Sequence, residues 1–321
     1  MKLGRLFGSA RSCSAQLLLA ASVVTSTLAG CNRNKQDAVL LANEAEKARK
    51  GDKDTAILKL EEAARLDPDN HGIWFKLATI HEEKEDWPKM AEALQGAITA
   101  DEKVKEDGSW ANYHANRGLA LEMQARKKAI KYDEVKAPYE KCIELDENYA
   151  DCYHQLGNVY LWLDDEQQSL AFYTKAIEHD PSVLRYYGPL AELYINLGYM
   201  KEAEEVLKEA KSRAQPNDRG LWLIHTMMSD VLISKGDLNG AVTELESAKA
   251  INTGDGPEQV YTLFNLGSLY AQLTPPRKQD ATDMLKGFHA RICKGQKAAK
   301  FVAECESART ILTKKLNATV Q

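Results

Sequence analysis

The chain has 321 residues, of which 44% are hydrophobic and 28% are charged, and its formal net charge is −5. This composition excludes a disordered chain, because enough apolar side chains are present to bury a core. The acidic balance argues against nucleic-acid binding, which needs a basic surface. Nine prolines in the whole sequence are few, as expected for a helix-rich protein.

The first 30 residues have the layout of a secretory signal. Lys2, Arg5 and Arg11 form a positive segment, and an uncharged apolar run follows from 17 to 30. The run is short for a transmembrane helix, which needs about 20 apolar residues. We therefore expect residues 1–30 to be removed as a signal peptide, which makes the mature chain more acidic.

The apolar run ends in Leu28, Ala29, Gly30 and Cys31, which resembles the lipobox of bacterial lipoproteins. The resemblance implies that the Cys31 thiol receives a diacylglyceryl group, that a peptidase cuts before it, and that the new amine is acylated, for example with palmitate. Several acyl chains anchor a protein to a membrane, since each buried methylene contributes about 0.8 kcal/mol. Asn32 differs from the aspartate that retains enterobacterial lipoproteins at the inner membrane, which implies the outer membrane, facing the periplasm. The alternative is an ordinary signal peptide cut beside a cysteine.

A repeated turn organises the rest of the sequence. Pro68 and Pro181 end similar segments, and each can be set at position 32 of a 34-residue unit. In the unit from residue 150, positions 4, 7, 8, 11, 24 and 27 are Tyr153, Leu156, Gly157, Tyr160, Tyr173 and Ala176. In the unit from residue 184, positions 4, 7, 8, 11, 20, 24 and 27 are Tyr187, Leu190, Ala191, Tyr194, Ala203, Leu207 and Ala210. Both series resemble the tetratricopeptide repeat (TPR), a pair of antiparallel helices.

The resemblance implies an all-α fold, a TPR solenoid in which antiparallel helix pairs stack into a right-handed superhelix. Small residues at positions 8 and 20 let the two helices of a pair cross closely, and proline at position 32 ends the second helix. About seven such units are expected over residues 37–295, after a lipidated N-terminus and short linker at 31–36. The third unit is longer between its helices, from Ala125 to Lys131.

The end of the chain departs from the repeat. Pro275 and Pro276 interrupt the seventh unit. An amphipathic segment from about Lys297 to Lys315 predicts one final helix, so residues 296–321 are expected to form a capping helix and tail. Terminal repeats need a polar outer face for solubility, which such a helix provides.

Four cysteines of the mature chain remain after Cys31, and they lie in two local pairs, Cys142 with Cys152 and Cys293 with Cys305. In the repeat register, the first pair meets across the turn between two units. An oxidising periplasm would let each pair close as a disulfide, which contributes about 3 kcal/mol in the chain-entropy model. The even count after lipidation favours two disulfides. The alternative is that these cysteines are small core residues.

No catalytic motif is recognisable in the sequence. None of the seven histidines pairs with another at the helical spacing of four, and no zinc signature is present. The sequence has neither a Gly-rich phosphate loop nor a Gly-x-Ser-x-Gly elbow. We therefore predict no enzyme activity, no catalytic residue, no metal, no cofactor and no small-molecule substrate.

In TPR proteins the first helices of successive units line a concave groove, at positions 2, 5, 9, 12 and 13. By that resemblance the candidate groove residues include His154, Asn158, Leu161, Trp162, Arg185, Glu192, Ile195, Asn196, Leu223, Asp230, Ile233, Tyr261 and Phe264. Mixed apolar and polar character suits a peptide or helix laid in the groove. Trp162 and Phe264 are the expected anchors, because aromatic residues dominate binding hot spots. Ordinary surface or inter-helix packing is the alternative for each residue.

Some TPR domains hold the terminal carboxylate of a peptide with a clamp of lysine and asparagine. Asn158 matches the asparagine of that clamp, but His154 occupies the place of the lysine. We therefore do not predict that mode of binding.

A lipobox followed by TPR units resembles the pilotin lipoproteins, which help the secretins of type IV pili multimerise and insert. The resemblance implies a scaffold, tethered to the outer membrane on its periplasmic side, that binds protein partners during assembly of an envelope complex. A second hypothesis is an adaptor that docks peptidoglycan-remodelling enzymes. A third is an enzyme with an unrecognised site, which the lack of a catalytic motif disfavours. Fold alone does not decide among them.

Overall fold

The computed structural model describes residues 24–104, 110–215, 218–251 and 257–319. Within these ranges the regular structure is helical and no strand occurs, which confirms the all-α prediction. Residues 1–23, which carry most of the predicted signal peptide, lie outside them, as does the side chain of Cys31. No helix in the described ranges combines the length and the apolar content that crossing a bilayer requires.

The chain divides into two compact units, unit 1 up to Cys152 and unit 2 from Tyr153 onward. Unit 1 consists of consecutive helix pairs in which α1 packs on α2, α3 on α4 and α5 on α6. The helices are α1 Val24–Ala48, α2 Lys53–Leu66, α3 His71–Glu83, α4 Trp87–Val104, α5 Ala111–Arg126 and α6 Asp133–Leu145. Helix α7 (Ala150–Trp162) begins in unit 1 and continues into unit 2.

Unit 2 continues the pattern, with α9 packed on α10, α11 on α12 and α13 on α14. Short 3₁₀ turns at Leu184–Tyr186 and Gly295–Lys300 precede α9 and α15, and a π turn at Ile311–Lys315 follows α15. The helices are α8 Glu166–His179, α9 Tyr187–Asn196, α10 Met200–Arg213, α11 Leu221–Ser234, α12 Leu238–Ile251, α13 Pro257–Tyr270, α14 Lys278–Ile292 and α15 Val302–Thr310.

The turn inside a helix pair contains a residue in the left-handed region. Gly198 and Gly236 adopt φ values of +82° and +79°, each at position 15 of its 34-residue repeat. Glu85 and Asp164 adopt the same region at the same position, with φ values of 54° and 58°. Glycine reaches this conformation without the steric penalty that a side chain brings. The left-handed residue ends the first helix and turns the chain back.

Aspartates begin several of the second helices. The Asp52 carboxylate accepts hydrogen bonds from the backbone N–H groups of Asp54 and Thr55, at 3.0 and 3.1 Å. The Asp165 carboxylate accepts one from Gln168 N–H at 3.1 Å. These bonds satisfy donors that have no partner within the helix, and each cap contributes about 1 kcal/mol.

The two helices of a pair cross closely at position 8 of the repeat, where the residue is small. A Cβ added at Gly157 would overlap the buried ring of Tyr173, and one added at Gly118 would lie 2.5 Å from the ring of Tyr139. At position 20 the hydroxyl of Ser169 donates to the Gly157 carbonyl at 2.9 Å. The repeat pattern therefore records where two backbones approach each other.

The end of unit 2 differs from the single helix predicted over Lys297 to Lys315. The chain forms a 3₁₀ turn, breaks at Phe301 and then forms the short helix α15 and a π turn. The Phe301 ring packs 5.3 Å from that of Tyr261, within a cluster that includes Phe288 and Leu312. Burial of this aromatic ring competes with helix continuity, since a straight helix presents only one face to the core.

Candidate functional site

The first helices of the pairs in unit 2, α7, α9, α11 and α13, follow one another along one surface. His154 of α7 packs its ring 5.2 Å from that of Tyr186, which leads into α9. A Cβ added at Gly188 of α9 would lie 3.3 Å from Leu223 of α11. The indole N–H of Trp222 in α11 donates to a threonine hydroxyl of α13 at 3.0 Å. We name this surface, formed by α7, α9, α11 and α13, the groove.

Exposed apolar side chains recur at two positions of the first helices, 2 and 12, and we call this set the apolar row. Four large apolar side chains at groove positions are 36% to 41% exposed: Leu161, Leu223, Ile233 and Tyr261. Burial of apolar surface contributes about 25 cal/mol of stabilising free energy per Å². The exposed part of these side chains does not make this contribution in the free protein. Positions 2 and 12 lie about 15 Å apart along a helix, so these side chains mark two levels of the groove and not one contiguous patch. Their recurrence in different repeats is the feature on which a binding surface can be proposed.

Two of the predicted groove residues, Asn158 and His154, pack against other residues of unit 2. The Asn158 carbonyl oxygen accepts a hydrogen bond from the Tyr173 hydroxyl at 2.7 Å, and its amide donates to Gln155 at 2.7 Å. The His154 ring packs between those of Tyr173 and Tyr186, at 5.7 and 5.2 Å. Both side chains are half-buried. Their role in fixing Tyr173 agrees with the packing alternative for these two positions.

The polar residues predicted on α9 and on the 3₁₀ turn before it are more exposed. Arg185, Glu192 and Asn196 are exposed, and Ile195 is half-buried. The Arg185 guanidinium lies 5.2 Å from the centre of the Tyr186 ring. Both signs of charge therefore lie beside the apolar row, which suits an amphipathic partner.

Asp230 of α11 lies between Leu223 and Ile233 in sequence and is accessible to solvent. The surrounding helices nevertheless withdraw water from its carboxylate, and this desolvation raises the pKa of Asp230 above its usual value. No ion pair with the described residues offsets the loss of solvation. A cationic group of a partner would interact favourably with this carboxylate.

The predicted aromatic anchors differ in exposure. Trp162 and Phe264 are both half-buried, and the Phe264 ring packs 5.1 Å from that of Phe288 in the core at the end of unit 2. Tyr261 is 41% exposed and contacts Phe301 with its ring edge. The structure therefore favours Tyr261 over Phe264 as the aromatic surface offered to a partner.

The four cysteines of the two predicted pairs lie as disulfides in the structure. Cys142 at the end of α6 is bonded to Cys152 at the start of α7, with Cα atoms 6.4 Å apart. Cys293 after α14 is bonded to Cys305 in α15, with Cα atoms 5.6 Å apart. All four residues are thus used to tie neighbouring helices. Among the described residues, no cluster of three or more histidine, cysteine or acidic side chains has the geometry to hold a metal ion.

Models of the tetratricopeptide repeat match residues 37–104 and, as two consecutive copies, residues 150–183 and 184–217. The last two matches begin at the residues that the sequence register assigned. These segments of the chain are tetratricopeptide repeats. Together with the helix pairs described above, this confirms the predicted fold class. The fold is typically a non-catalytic scaffold for protein–protein interaction.

Solved TPR structures resemble the chain in fold. The C-terminal part of a TPR-containing protein from Cytophaga hutchinsonii has a TM-score of 0.60 at 13% identity, covering 82% of this chain and 97% of its own. PilW, a type IV pilus biogenesis factor, has a TM-score of 0.51 at 18% identity, covering 70% of this chain and 98% of its own. PilF of Pseudomonas aeruginosa has a TM-score of 0.50 at 18% identity, covering 72% and 96%. At these identities the likeness concerns the fold alone.

A curated relative covers a smaller part of the chain. The DnaJ homolog subfamily C member 3 homolog of Dictyostelium discoideum is 27% identical over 137 residues, which is 41% of this chain. The match spans 27% of the length of that relative. The likeness therefore concerns a part of each chain.

Proposed function

We propose that the protein is a lipid-anchored scaffold in the bacterial envelope, facing the periplasm from the outer membrane, and that its groove binds a protein partner. The observation that carries the binding proposal is the exposed apolar row of Leu161, Leu223, Ile233 and Tyr261. The anchor rests on the sequence from Leu28 to Cys31. TPR proteins bind protein partners, and the groove is the surface that their first helices form.

The chemistry of the groove favours an amphipathic helix or an extended segment as the partner. Apolar side chains of such a segment would cover the apolar row, as in other helix-in-groove complexes. A lysine or arginine of the same segment would meet Asp230, whose carboxylate lacks full solvation. An acidic residue would meet Arg185, which is exposed at the edge of the groove.

For the specific role, we propose pilotin-like assistance to a secretin. The fold-level likeness to PilF and PilW supports this role without identifying the partner. Docking of peptidoglycan-remodelling enzymes is the alternative, and catalysis by the chain itself is the third hypothesis. Crosslinking in intact envelopes separates the three. Capture of a secretin supports the first, and capture of wall hydrolases without a secretin contradicts it.

The test of the groove uses a matched pair of variants. Leu223→Glu places a charge in the apolar row, whereas Leu58→Glu places one on an exposed leucine of α2 in unit 1. We expect Leu223→Glu to lower crosslinking to the partner by about tenfold or more, because a charge would have to be buried on binding. Leu58→Glu should leave it unchanged. Equal loss in both variants would contradict the groove, and turnover of a wall substrate by the purified chain would contradict the scaffold.

The test of the anchor is separate from that of the groove. Cys31→Ser removes the thiol to which the lipid would be attached, so the variant should leave the membrane fraction and appear in the soluble periplasmic fraction. Leu223→Glu should stay with the membrane. Retention of the Cys31→Ser variant in membranes would contradict lipidation at this residue.

A further inference from the structure

A cationic depression lies at the end of unit 2, and none of its lining residues is one of the groove residues named above. It has a volume of about 720 Å³ and is open to solvent. Residues of α14, of the segment after it and of the C-terminal turn line it: His289, Lys294, Arg309, Thr313, Asn317, Ala318 and Thr319. None of them is acidic. The depression is therefore a concave surface with two permanent positive charges.

Neither cation of the depression is neutralised within the described part of the chain. Lys294 and Arg309 are exposed, and no carboxylate of the described residues forms an ion pair with either side chain. Other cations of unit 2 do form ion pairs, as Lys211 with Glu244 at 2.6 Å and Arg277 with Asp280 at 2.7 Å. Two like charges held at one concavity without a counterion attract an anion.

The wall of the depression contains an imidazole whose hydrogen bonding is incomplete. His289 is 6% exposed, and its Nε2 atom has no hydrogen-bond partner among the described residues. Burial, and next the nearby charges of Arg309 and Lys294, lower the pKa of His289, so the ring is neutral near pH 7. Solvent does not reach this Nε2 atom, so an anion in the depression would meet the rest of the ring and not Nε2.

A disulfide ties together the two segments that carry the cations. Lys294 follows Cys293 directly, and Arg309 lies one helical turn after Cys305 on the same face of the helix. The Cys293–Cys305 bond therefore fixes the distance between the segment that carries the lysine and the helix that carries the arginine. Preorganised charges bind an anion more tightly than charges that must first be brought together.

We infer that this depression binds a phosphate group, either as inorganic phosphate or as a phosphomonoester. The ammonium of Lys294 and the guanidinium of Arg309 match the charge of about −1.5 to −2 that such a group carries at pH 7. The neutral imidazole and the side chains of Thr313 and Asn317 add further hydrogen-bonding groups. A carboxylate has one charge and two oxygens, so it would leave part of this set unused.

The first experiment measures binding of inorganic phosphate to the purified full chain by calorimetry in a chloride buffer. Saturable binding to one site is expected. Arg309→Ala and Lys294→Ala should each weaken it by about tenfold or more, the size of one lost charged hydrogen bond. Lys286→Ala removes an exposed charge from α14 outside the depression and should leave it unchanged. Equal weakening by all three variants would overturn the inference, because it would show only a general effect of charge.

Further measurements identify the bound group and test whether the variants remain folded. Arg309→Lys keeps the charge and should retain more binding than Arg309→Ala at the same helical circular dichroism. Phosphate should shift the NMR resonance of His289, and acetate at equal concentration should not. Displacement of phosphate by acetate would overturn the inference in favour of a carboxylate site.

A final arm separates the two sources of phosphate. Vesicles of phosphatidylcholine with and without phosphatidic acid present the same group on a lipid. Arg309-dependent binding to the phosphatidic acid vesicles assigns the site to a lipid headgroup, and binding of inorganic phosphate alone assigns it to a soluble ligand. Absence of both would overturn the inference.

Discussion

At the scale of single residues, position 8 of the repeat requires glycine where a side chain of the second helix packs against it. No unusual backbone conformation is involved. Gly157 lies inside α7, where alanine would favour the helix by about 1 kcal/mol. The Tyr173 ring opposite it is fully buried, and its hydroxyl is held by Asn158 at 2.7 Å. The ring therefore cannot move aside easily when a methyl group is added.

The first prediction concerns Gly157→Ala. We expect it to lower the free energy of unfolding by about 1 to 3 kcal/mol, because overpacking outweighs the gain in helix propensity. Gly287→Ala is the matched control, since its added Cβ would lie 3.8 Å from Leu263 Cδ1 in ordinary contact. That variant should be neutral or slightly stabilising. Urea unfolding measures both, and similar effects in the two variants would contradict the contact argument.

Glu244 links three helices of unit 2. Its carboxylate accepts a hydrogen bond from Lys211 Nζ at 2.6 Å and pairs with His225 Nδ1 at 2.6 Å. Burial alone would raise the pKa of Glu244, but these bonds to His225 and Lys211 outweigh it and lower the pKa below 4.5. In the folded protein this carboxyl therefore holds its proton less tightly than in the unfolded chain.

The second prediction is the pH dependence of this cluster. Because the pKa of Glu244 is lower in the folded protein than in the unfolded chain, the ionised carboxylate stabilises the fold. This contribution is complete above the unfolded pKa of 4.5, and it is lost as the pH falls through the folded pKa. Glu244→Gln should cost about 1 to 3 kcal/mol at pH 7, and this cost should shrink as the pH falls below 4.5. Unfolding of both proteins at a series of pH values measures it.

The control for this prediction is an exposed pair with a similar distance. Glu144 lies 2.6 Å from Lys141, but its side chain is 67% exposed. Glu144→Gln should change stability by less than about 0.5 kcal/mol at any pH, because water screens the pair. A cost for Glu244→Gln that does not depend on pH would contradict an electrostatic origin.

At the scale of elements, the disulfides act where the repeat pattern by itself is weak. Cys142–Cys152 ties the end of α6 to the start of α7, and Cys293–Cys305 ties α14 to the short helix α15. The end of unit 2 after α14 is built from short pieces, so it has fewer helical hydrogen bonds than a regular pair. A crosslink there replaces part of the stability that a continuous helix would supply.

The third prediction is the redox state of these cysteines. Alkylation of the denatured protein should find four more thiols after reduction than before it. Cys142→Ala with Cys152→Ala should lower the free energy of unfolding by about 2 to 4 kcal/mol, because the unfolded chain loses a constraint. An equal number of thiols with and without reduction would contradict both bonds.

At the scale of the whole molecule, packing of each helix pair against the next places the first helices side by side, and in unit 2 they form the groove. In unit 2 the second helices carry ion pairs such as Lys211 with Glu244, while the first helices leave the apolar row exposed. Each pair mainly contacts its neighbours in sequence, as in other solenoid proteins. Substitutions in the groove should therefore alter binding without the large loss of stability expected at the crossings.

The sequence by itself determined the helix pairs and their register. Gly157 and Ala191 lie 34 residues apart because each repeat makes the same contacts within itself. The two cysteine pairs were also predictable, since their separations of 10 and 12 residues stay within one helix–turn–helix segment. The resemblance placed Leu161 and Tyr261 at groove positions for the same reason, because the face of a helix follows from its period.

Only the tertiary structure decided which of those positions face solvent and which support packing. Asn158 holds Tyr173, and Phe264 packs on Phe288, through neighbours that the repeat pattern does not specify. The cationic depression unites His289, Lys294 and Arg309 from three consecutive segments whose order breaks the repeat. Periodicity reports local geometry, whereas the environment of a side chain depends on contacts between elements.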